Sequence, residues 1–246
     1  MPRGPRLTLD NAVFHIINRG NAKQTIFHDE EDFNKFLEIL ARYKDKFGFK
    51  MYHFCLMPNH HHFEWEISQA ESLSKAMQGI ALSYSRYYHA KYDTVGYLWQ
   101  GRFKNMIVEK EDYMARLGVY IELNAKRVGL VDNPEDWKWS SCRFYIKGEP
   151  IMISFKDENR ERKTINLIDT DPFYEKLGDN AFEKQKEYKK FISLMDNQVK
   201  PGIFTFQDRG ILGSDNFKDR ISRTMKSLGM LVKPKKMGRP PKQKNN

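Results

Sequence analysis

Cysteine is scarce in this chain, and no long apolar run is present. Only Cys55 and Cys142 occur among 246 residues, with neither a CxxC pair nor a zinc-finger spacing, so the sequence predicts neither a disulfide framework nor a structural zinc site. No segment approaches the roughly 18 consecutive apolar residues of a membrane span, and the basic start has no apolar signal-peptide core. We therefore expect a cytoplasmic protein without a membrane partner.

Positive charge is concentrated at the C-terminal end. The formal net charge is +10, and residues 218–246 contain seven lysines and three arginines against Asp219 alone, which leaves the rest of the chain nearly neutral. The stretch ends in a proline-rich basic tail, residues 231–246, which has too few apolar residues to fold by itself. We predict a disordered DNA-binding tail, whose Gly238-Arg239-Pro240 tripeptide also resembles the minor-groove core of an AT-hook. The predicted phosphate contacts are Lys235, Lys236, Arg239 and Lys242.

The run Met57–His62 contains two histidines whose spacing suits one face of a β-strand. Side chains alternate along a strand, so His60 and His62 are expected on one face and His61 on the other. Two neutral imidazoles side by side form two thirds of a divalent-metal site. By itself such a pair is more often a partly buried surface pair, so a metal site requires a third group.

Tyr120 and Asn124 lie in a helical pattern and provide a candidate for that group. Their spacing of four residues stacks the phenol over the amide on one helix face. Taken alone, a helical tyrosine is usually a core residue and the asparagine is usually solvated. The combination is more specific, because a Leu-Met-Pro-Asn-His-X-His peptide, the loop Tyr97–Phe103 and the Tyr-Ile-X-Leu-Asn peptide follow one another in the chain.

In this order the peptides resemble the single-tyrosine HUH transposases of bacterial insertion sequences, particularly the REP-associated tyrosine transposases. The resemblance covers roughly residues 1–145. It implies that Tyr120 is the nucleophile and that His60, His62 and Asn124 bind a divalent metal, Mg²⁺ or Mn²⁺, of which Mn²⁺ suits imidazole better. Its further markers are Pro2–Arg6, Val13–Ile16, Asn18–Gly20, Ile26-Phe27, Leu98–Phe103 and Val128–Val131.

The resemblance also implies a function. The expected protein is a DNA transposase that cleaves and rejoins single-stranded DNA through a 5′-phosphotyrosine intermediate, at hairpin or repeat sequences, as a monomer or homodimer associated with the nucleoid. A rolling-circle initiator or relaxase uses related chemistry, but in relaxases the tyrosine usually precedes the histidines, whereas Tyr120 follows them. A catalytically idle DNA-hairpin-binding protein is the alternative from another class, and metal-dependent nicking separates it from an enzyme.

Two positions depart from the family pattern. The family usually has an apolar residue two positions after the second histidine, where this chain has Glu64. Glu64 shares a face with the histidine pair, and three interpretations stay open: an additional ligand, a carboxylate that holds an imidazole N–H in place, or a solvated strand residue. The family often has proline after the asparagine, whereas Ala125 follows here, so we expect the tyrosine helix to continue for another turn.

The pattern of elements predicts an α+β fold. Predicted strands and helices alternate so as to give a ferredoxin-like antiparallel sheet with helices on one face, followed by the tyrosine helix. With 40% hydrophobic residues, the chain can bury one ample core plus a smaller unit. We divide it into an HUH endonuclease domain, residues 1–145, a helical appendage with a linker or exposed hairpin, residues 146–230, and the tail. The predicted strands cover 12–18, 49–57, 60–67 and 103–108, and the predicted helices cover 30–47, 71–91 and 111–126.

The segment 71–103 interleaves aromatic and basic residues, a mixture that stacks unpaired bases and binds phosphates. Its tyrosines at 84, 87, 88 and 92 have helical spacing, so packing within the fold is the competing interpretation. The glycines of the loop after this helix permit close backbone approach to a phosphate. The residues predicted to contact DNA in and beside this segment are Arg86, Trp99, Gln100, Arg102 and Lys104.

Overall fold

The computed structural model describes residues 6–198 and 210–229. The N-terminal elements are, in order, β1 (Ala12–Arg19), α1 (Glu30–Phe47), β2 (Lys50–Met57), β3 (His60–Ile67), α2 (Ala70–Tyr92), β4 (Lys104–Val108), α3 (Asp112–Glu122) and α4 (Asn124–Arg127). They are followed by α5 (Cys142–Lys147), β5 (Met152–Lys156), β6 (Arg162–Asn166), α6 (Pro172–Glu175), α7 (Ala181–Gln198), β7 (Ile211–Leu212) and α8 (Asp215–Ser227). Among these described helices, none is both long and apolar enough to cross a membrane.

The central sheet has the strand order β2-β3-β1-β4-β7. Its first four strands are antiparallel neighbours, which confirms the predicted α+β fold and its ferredoxin-like order. Helices α1 and α2 pack together on one sheet face, where Phe36 of α1 lies 5.1 Å from Tyr84 of α2 and 6.3 Å from Phe63 of β3, measured between ring centroids. The two-residue strand β7 pairs with β4 in parallel and was not predicted.

Local signals explain the bounds of α1. The Asp29 side chain accepts a hydrogen bond from the backbone N–H of Asp32 at 3.0 Å, which satisfies one of the free donors of the first turn. Acidic residues in that turn also complement the helix dipole. Gly48 ends the helix at φ 63°, a left-handed conformation that glycine adopts without strain. The predicted start and end of this helix are therefore confirmed.

The strand register determines which residues lie on the second face of the sheet. In the β1–β3 ladder His15 is opposite Glu64, and in the β2–β3 ladder His53 is opposite Glu64. The next residue of β3 on this face is His62, which lies opposite Ile17 of β1 and Cys55 of β2. Helix α3 packs over it, because a Cβ added to Gly118 would lie 2.5 Å from the His53 ring. This face therefore brings buried ionisable side chains beneath the tyrosine helix.

The segments after residue 145 pack against the same layers. One hydrophobic core includes Tyr145, Leu167 and Tyr188 together with the sheet, while the division of the chain at residue 145 stays a prediction. Strands β5 and β6 form the hairpin that was one of two expectations for that region. The predicted tail, with Lys235, Lys236, Arg239 and Lys242, lies outside the described residues.

Candidate active site

His60 and His62 lie next to one another on the face covered by α3. Their ring centroids are 5.0 Å apart, and the His62 ring is 6.1 Å from the ring of Tyr120. His61 lies on the opposite face, where its ring is 5.2 Å from Phe36. The structure thus has the predicted alternation of the three histidines, and it places the pair beside the tyrosine.

Hydrogen bonds orient both rings of the pair. His60 Nδ1 lies 2.6 Å from Asn59 Oδ1, an atom that only accepts, so the proton belongs on Nδ1 and the lone pair on Nε2. His62 Nδ1 lies 3.1 Å from His15 Nε2. In the tautomer in which His62 donates to His15, Nε2 of His62 also keeps its lone pair. Each imidazole then presents a nitrogen that can bind a metal.

The surroundings keep these imidazoles neutral. Burial, with the added charge of Arg19, lowers the pKa of His60 to about 4. Burial lowers the pKa of His62 well below its usual value, and the neighbouring His15 and His60 contribute in the same direction. A neutral imidazole is the form that binds a metal. At neutral pH no proton has to leave either ring before a cation binds.

Tyr120 is half-buried near the end of α3, and burial raises the pKa of its phenol while the charge of Arg127 opposes the shift. Asn124 begins α4, and its Nδ2 donates to the backbone oxygens of Tyr120 at 2.9 Å and Ile121 at 3.1 Å. The amide nitrogen is thus engaged, and Oδ1 is the atom suited to a cation. The helical turn Asn124–Arg127 agrees with the expectation that Ala125 prolongs the tyrosine helix.

The donor set fits a divalent cation. The predicted ligand atoms, Nε2 of His60, Nε2 of His62 and Oδ1 of Asn124, would make a mixed nitrogen and oxygen set of the kind that Mn²⁺ accepts and Mg²⁺ tolerates. Within residues 6–198 and 210–229, no group of three His, Cys, Asp or Glu side chains is arranged to hold a metal ion. A third protein ligand at the histidine pair would therefore be a residue of another type, and the amide of Asn124 stays the predicted one.

Glu64 is fully buried, so its interpretation as a solvated strand residue is wrong. Burial raises the pKa of its carboxyl well above the usual value. Neither carboxyl oxygen has a hydrogen-bond partner among the described residues. The strand pattern alone did not reveal this burial, because the cover comes from α3. A contact between Glu64 and a metal or an imidazole stays a prediction.

A second histidine centre lies further along the same face, and the sequence analysis missed it. His53 Nδ1 is 2.9 Å from Glu122 Oε1, and His53 Nε2 is 3.2 Å from Asp171 Oδ2. Although burial opposes the charged form, the two carboxylates raise the pKa of His53 to about 10. Glu122 also accepts from Ser141 Oγ at 2.7 Å and from the Tyr188 hydroxyl at 2.9 Å.

The loop between α2 and β4 lies at the end of the sheet that carries His60. Gln100 N donates to Arg19 O at 2.9 Å, and Arg19 is the strand partner of His60. Trp99 is only partly exposed, and its Nε1 donates to Ala81 O at 3.1 Å, so the indole packs on the fold. Tyr84 is fully buried, in agreement with the packing interpretation of the tyrosine stripe. The exposed residues among the predicted DNA contacts are Arg86, Gln100, Arg102 and Lys104.

Comparisons with solved structures extend these observations. A REP-associated tyrosine transposase bound to a REP hairpin aligns with a TM-score of 0.51 and 17% sequence identity, covering 60% of this chain and 86% of that chain. A putative transposase from Deinococcus radiodurans R1 gives a TM-score of 0.35 and 18% identity over 50% and 95% of the two chains. A bacterial tRNA(His) guanylyltransferase-like protein in complex with GTP gives a TM-score of 0.39 and 10% sequence identity, covering 76% of this chain and 92% of that chain. Only the first likeness is close enough to support the fold.

The comparison with family profiles concerns the N-terminal part of the chain. No curated protein matches the sequence. Residues 8–124 match the profile of the family described as "Transposase IS200 like". The matched range begins before β1 and ends at Asn124, so it includes the histidine pair, the tyrosine and the amide described above. The family resemblance drawn from the sequence is confirmed over this range, where the chain is similar to the IS200-like transposases.

Proposed function

We propose that this protein cleaves and rejoins single-stranded DNA, with Tyr120 as the nucleophile. The observation that carries the proposal is the placement of the Tyr120 ring 6.1 Å from His62, on the sheet face that His62 shares with His60. Two neutral imidazoles and an adjacent phenol combine a metal-binding pair with a group able to form a covalent bond to phosphorus.

His60, His62 and Asn124 would hold the divalent cation, which we propose to be Mg²⁺ or Mn²⁺. When bound there, it supplies positive charge that offsets the anionic oxygens of the phosphodiester. The residues themselves make this possible in two ways. The bonds from Asn59 and His15 hold the imidazole rings in place, and the backbone bonds of Asn124 hold its amide beside the tyrosine.

The covalent step exchanges one phosphoester bond for another. The Tyr120 oxygen attacks phosphorus and gives up its proton to solvent, while the bond from phosphorus to the 3′ oxygen breaks and that oxygen takes up a proton. The products are a 5′-phosphotyrosine and a free 3′-hydroxyl. Because the energy of the phosphoester is retained, another 3′-hydroxyl can later displace Tyr120 and rejoin the strand.

We propose hairpin-forming or repeat DNA as the substrate. The similar solved structure is bound to a REP hairpin, which supports this class of substrate for the present chain. The exposed side chains of Gln100, Arg102 and Lys104 lie on the loop at the His60 end of the sheet or just after it. Basic and amide side chains at such a position bind phosphates and base edges. We further propose that the protein acts on DNA in the nucleoid, as a monomer or homodimer.

The direct test uses single-stranded oligonucleotides taken from either side of the gene for this protein. Incubation with Mn²⁺ should give a covalent protein–DNA adduct on a denaturing gel, and mass spectrometry should place it at Tyr120. Tyr120→Phe should remove the adduct and keep DNA binding, because only the attacking oxygen is lost. Tyr113→Phe is the matched control, since Tyr113 lies on the same helix two turns earlier.

Each outcome of this test has a definite meaning. An adduct that persists in Tyr120→Phe and disappears in Tyr113→Phe would assign the attack to Tyr113. Tight hairpin binding without any adduct, with Mn²⁺ or Mg²⁺, would instead identify a DNA-binding protein that has kept the fold and lost the reaction.

A further inference from the structure

Two arginines lie beside the Tyr120 centre, and each has at least one buried N–H group without an acceptor among the described residues. The guanidinium carbon of Arg127, on α4, is 5.2 Å from the centroid of the Tyr120 ring. Among the described residues, neither Nη1 nor Nη2 of Arg127 has a hydrogen-bond partner, and both are buried. Arg19 ends β1 opposite His60, and its buried Nε also lacks a partner within the described part of the chain.

Unsatisfied guanidinium groups at this place require a physical explanation. A buried N–H group without an acceptor costs free energy, and a cationic one costs more. The carboxylate that acts electrostatically on Arg127 is Asp196, which is already paired with Lys126 Nζ at 2.6 Å. An acceptor that arrives with a ligand would satisfy these donors, and the free enzyme would carry the cost until then.

The charge around the centre indicates an anionic ligand. Arg19 lies opposite His60 in the β1–β3 ladder, and the guanidinium of Arg127 lies against the Tyr120 ring. A positive charge is therefore placed beside the histidine pair and another beside the tyrosine. A guanidinium offers parallel N–H groups that match two oxygens of one phosphate. The ligand that fits both the charge and the geometry is a phosphodiester.

We infer that Arg19 and Arg127 form an arginine clamp for the DNA backbone at the site of cleavage. Arg127, in contact with Tyr120, binds the non-bridging oxygens of the scissile phosphate, and Arg19, beside His60, binds an adjoining phosphate. Arg127 as a whole is half-buried, so a rotation of its long side chain presents the guanidinium to an entering strand. This inference rests on the proposed function and adds the residues that hold the substrate in line with the nucleophile.

The first experiment compares two substrates in single-turnover cleavage at saturating protein. One is the natural oligonucleotide, and the other carries a neutral methylphosphonate at the scissile position. Arg127→Gln should slow cleavage of natural DNA by roughly 10²-fold, the usual loss for one preorganised donor to a developing charge. On the methylphosphonate, the variant and the parent protein should react at similar rates, because the charged oxygen that Arg127 binds is absent.

Two further variants keep this experiment interpretable. Arg127→Lys retains the charge without the planar fork and should restore part of the rate. Arg143→Gln is the matched control, because Arg143 on α5 also has a buried Nε without a partner within the described residues. An equal loss on both substrates for Arg127→Gln would mean that Arg127 only supports the structure around Tyr120, and the clamp would be refuted.

The second experiment measures binding and does not depend on cleavage. In a Tyr120→Phe background, the affinity for single-stranded DNA is measured as a function of salt concentration. Each phosphate contact removed should lower the slope of log affinity against log salt by about 0.7. Arg19→Gln and Arg127→Gln should each give this change, and Arg143→Gln should give none.

The two experiments separate failure of the clamp from failure of the proposed function. If no protein forms an adduct but both slopes fall as expected, the reaction is refuted and the clamp stands as a DNA-binding device. If the adduct forms while both slopes and the methylphosphonate comparison are unaffected by Arg19→Gln and Arg127→Gln, the reaction stands and the clamp is refuted.

Discussion

Two histidine centres lie on the same face of the sheet, in successive rows of the β2–β3 ladder, and they differ in almost every other respect. His53 is held between two carboxylates, and its pKa is raised to about 10. At His60, burial together with the charge of the nearby Arg19 lowers the pKa to about 4. One centre is therefore cationic at neutral pH and the other is neutral, although both are built from the same side chain.

The difference shows that the neighbours, rather than the residue type, determine what each centre can do. Around His53 both ring nitrogens are engaged by side chains of the protein, and Glu122 is also bonded by two further groups, the hydroxyls of Ser141 and Tyr188. A satisfied network of this kind fixes one arrangement of the core. At the other centre, imidazole lone pairs and arginine N–H groups remain available, which is the state expected of a site that binds a ligand. The predictions below test this contrast.

The largest effect is expected at the neutral centre. His60→Ala or His62→Ala should abolish Mn²⁺-supported adduct formation, because each removes one of three proposed ligands. His61→Ala is the control, since His61 lies on the opposite sheet face and should retain the reaction at temperatures where the protein stays folded. Adduct yield on denaturing gels checks this prediction. Equal loss in all three variants would contradict the division of the two faces.

The next effect is expected at the cationic centre and concerns stability. His53→Gln removes the cation between Glu122 and Asp171, and breaking a buried ion pair from one side costs about 3–5 kcal/mol of unfolding free energy. His60→Ala should cost about 1 kcal/mol or less, since it loses one hydrogen bond at a partly exposed position. Urea denaturation of both variants measures the difference. Similar losses of unfolding free energy in the two variants would mean that the His53 network contributes no more to stability than the hydrogen bond of His60.

The pH dependence of stability should follow from the same centre. The pKa of His53 is about 10 in the folded protein, above the usual value of about 6.5 for the unfolded chain. Its contribution is therefore complete below pH 6.5 or so and is lost as the pH rises through about 10. Urea midpoints measured between pH 7 and 10.5 should fall in the parent protein by more than in His53→Gln. An identical fall in both would assign the pH dependence to other groups.

The smallest effect is expected from a single bond to Glu122. Tyr188→Phe removes the hydroxyl that donates to Glu122 Oε2 at 2.9 Å and should cost about 1.5–3 kcal/mol, the usual range for a hydrogen bond to a charged group. The ring contacts with Tyr145 remain. Thermal unfolding measures the loss, while Mn²⁺ affinity should stay unchanged. A change in Mn²⁺ affinity would show that the two centres are coupled.

The sequence predicted the features of the two histidine centres that depend on the local pattern of residues. Alternation along residues 60–67 places His60 and His62 together, and turn residues delimit the surrounding strands and helices. It did not predict the His53 centre, because Glu122 and Asp171 lie 69 and 118 residues away in the chain. The burial of Glu64 was missed for the same reason, since α3 covers that strand only in the folded structure. The two-residue strand β7 is too short to have a recognisable pattern.

The edges of the central sheet have a consequence for self-association. Along β2, the backbone of Leu56 and Met51 is bonded to Trp139 and Asp169, and along β4, Ile107 N donates to Gly210 O. These partners come from the same chain, so β2 is covered at these positions and the exposed side of β4 is paired with β7, whose two residues make a very short outer strand. Edge-to-edge joining of two sheets would first require these bonds to break. Under the proposed function, two copies of this protein on one DNA hairpin should therefore associate through side chains or through the DNA itself.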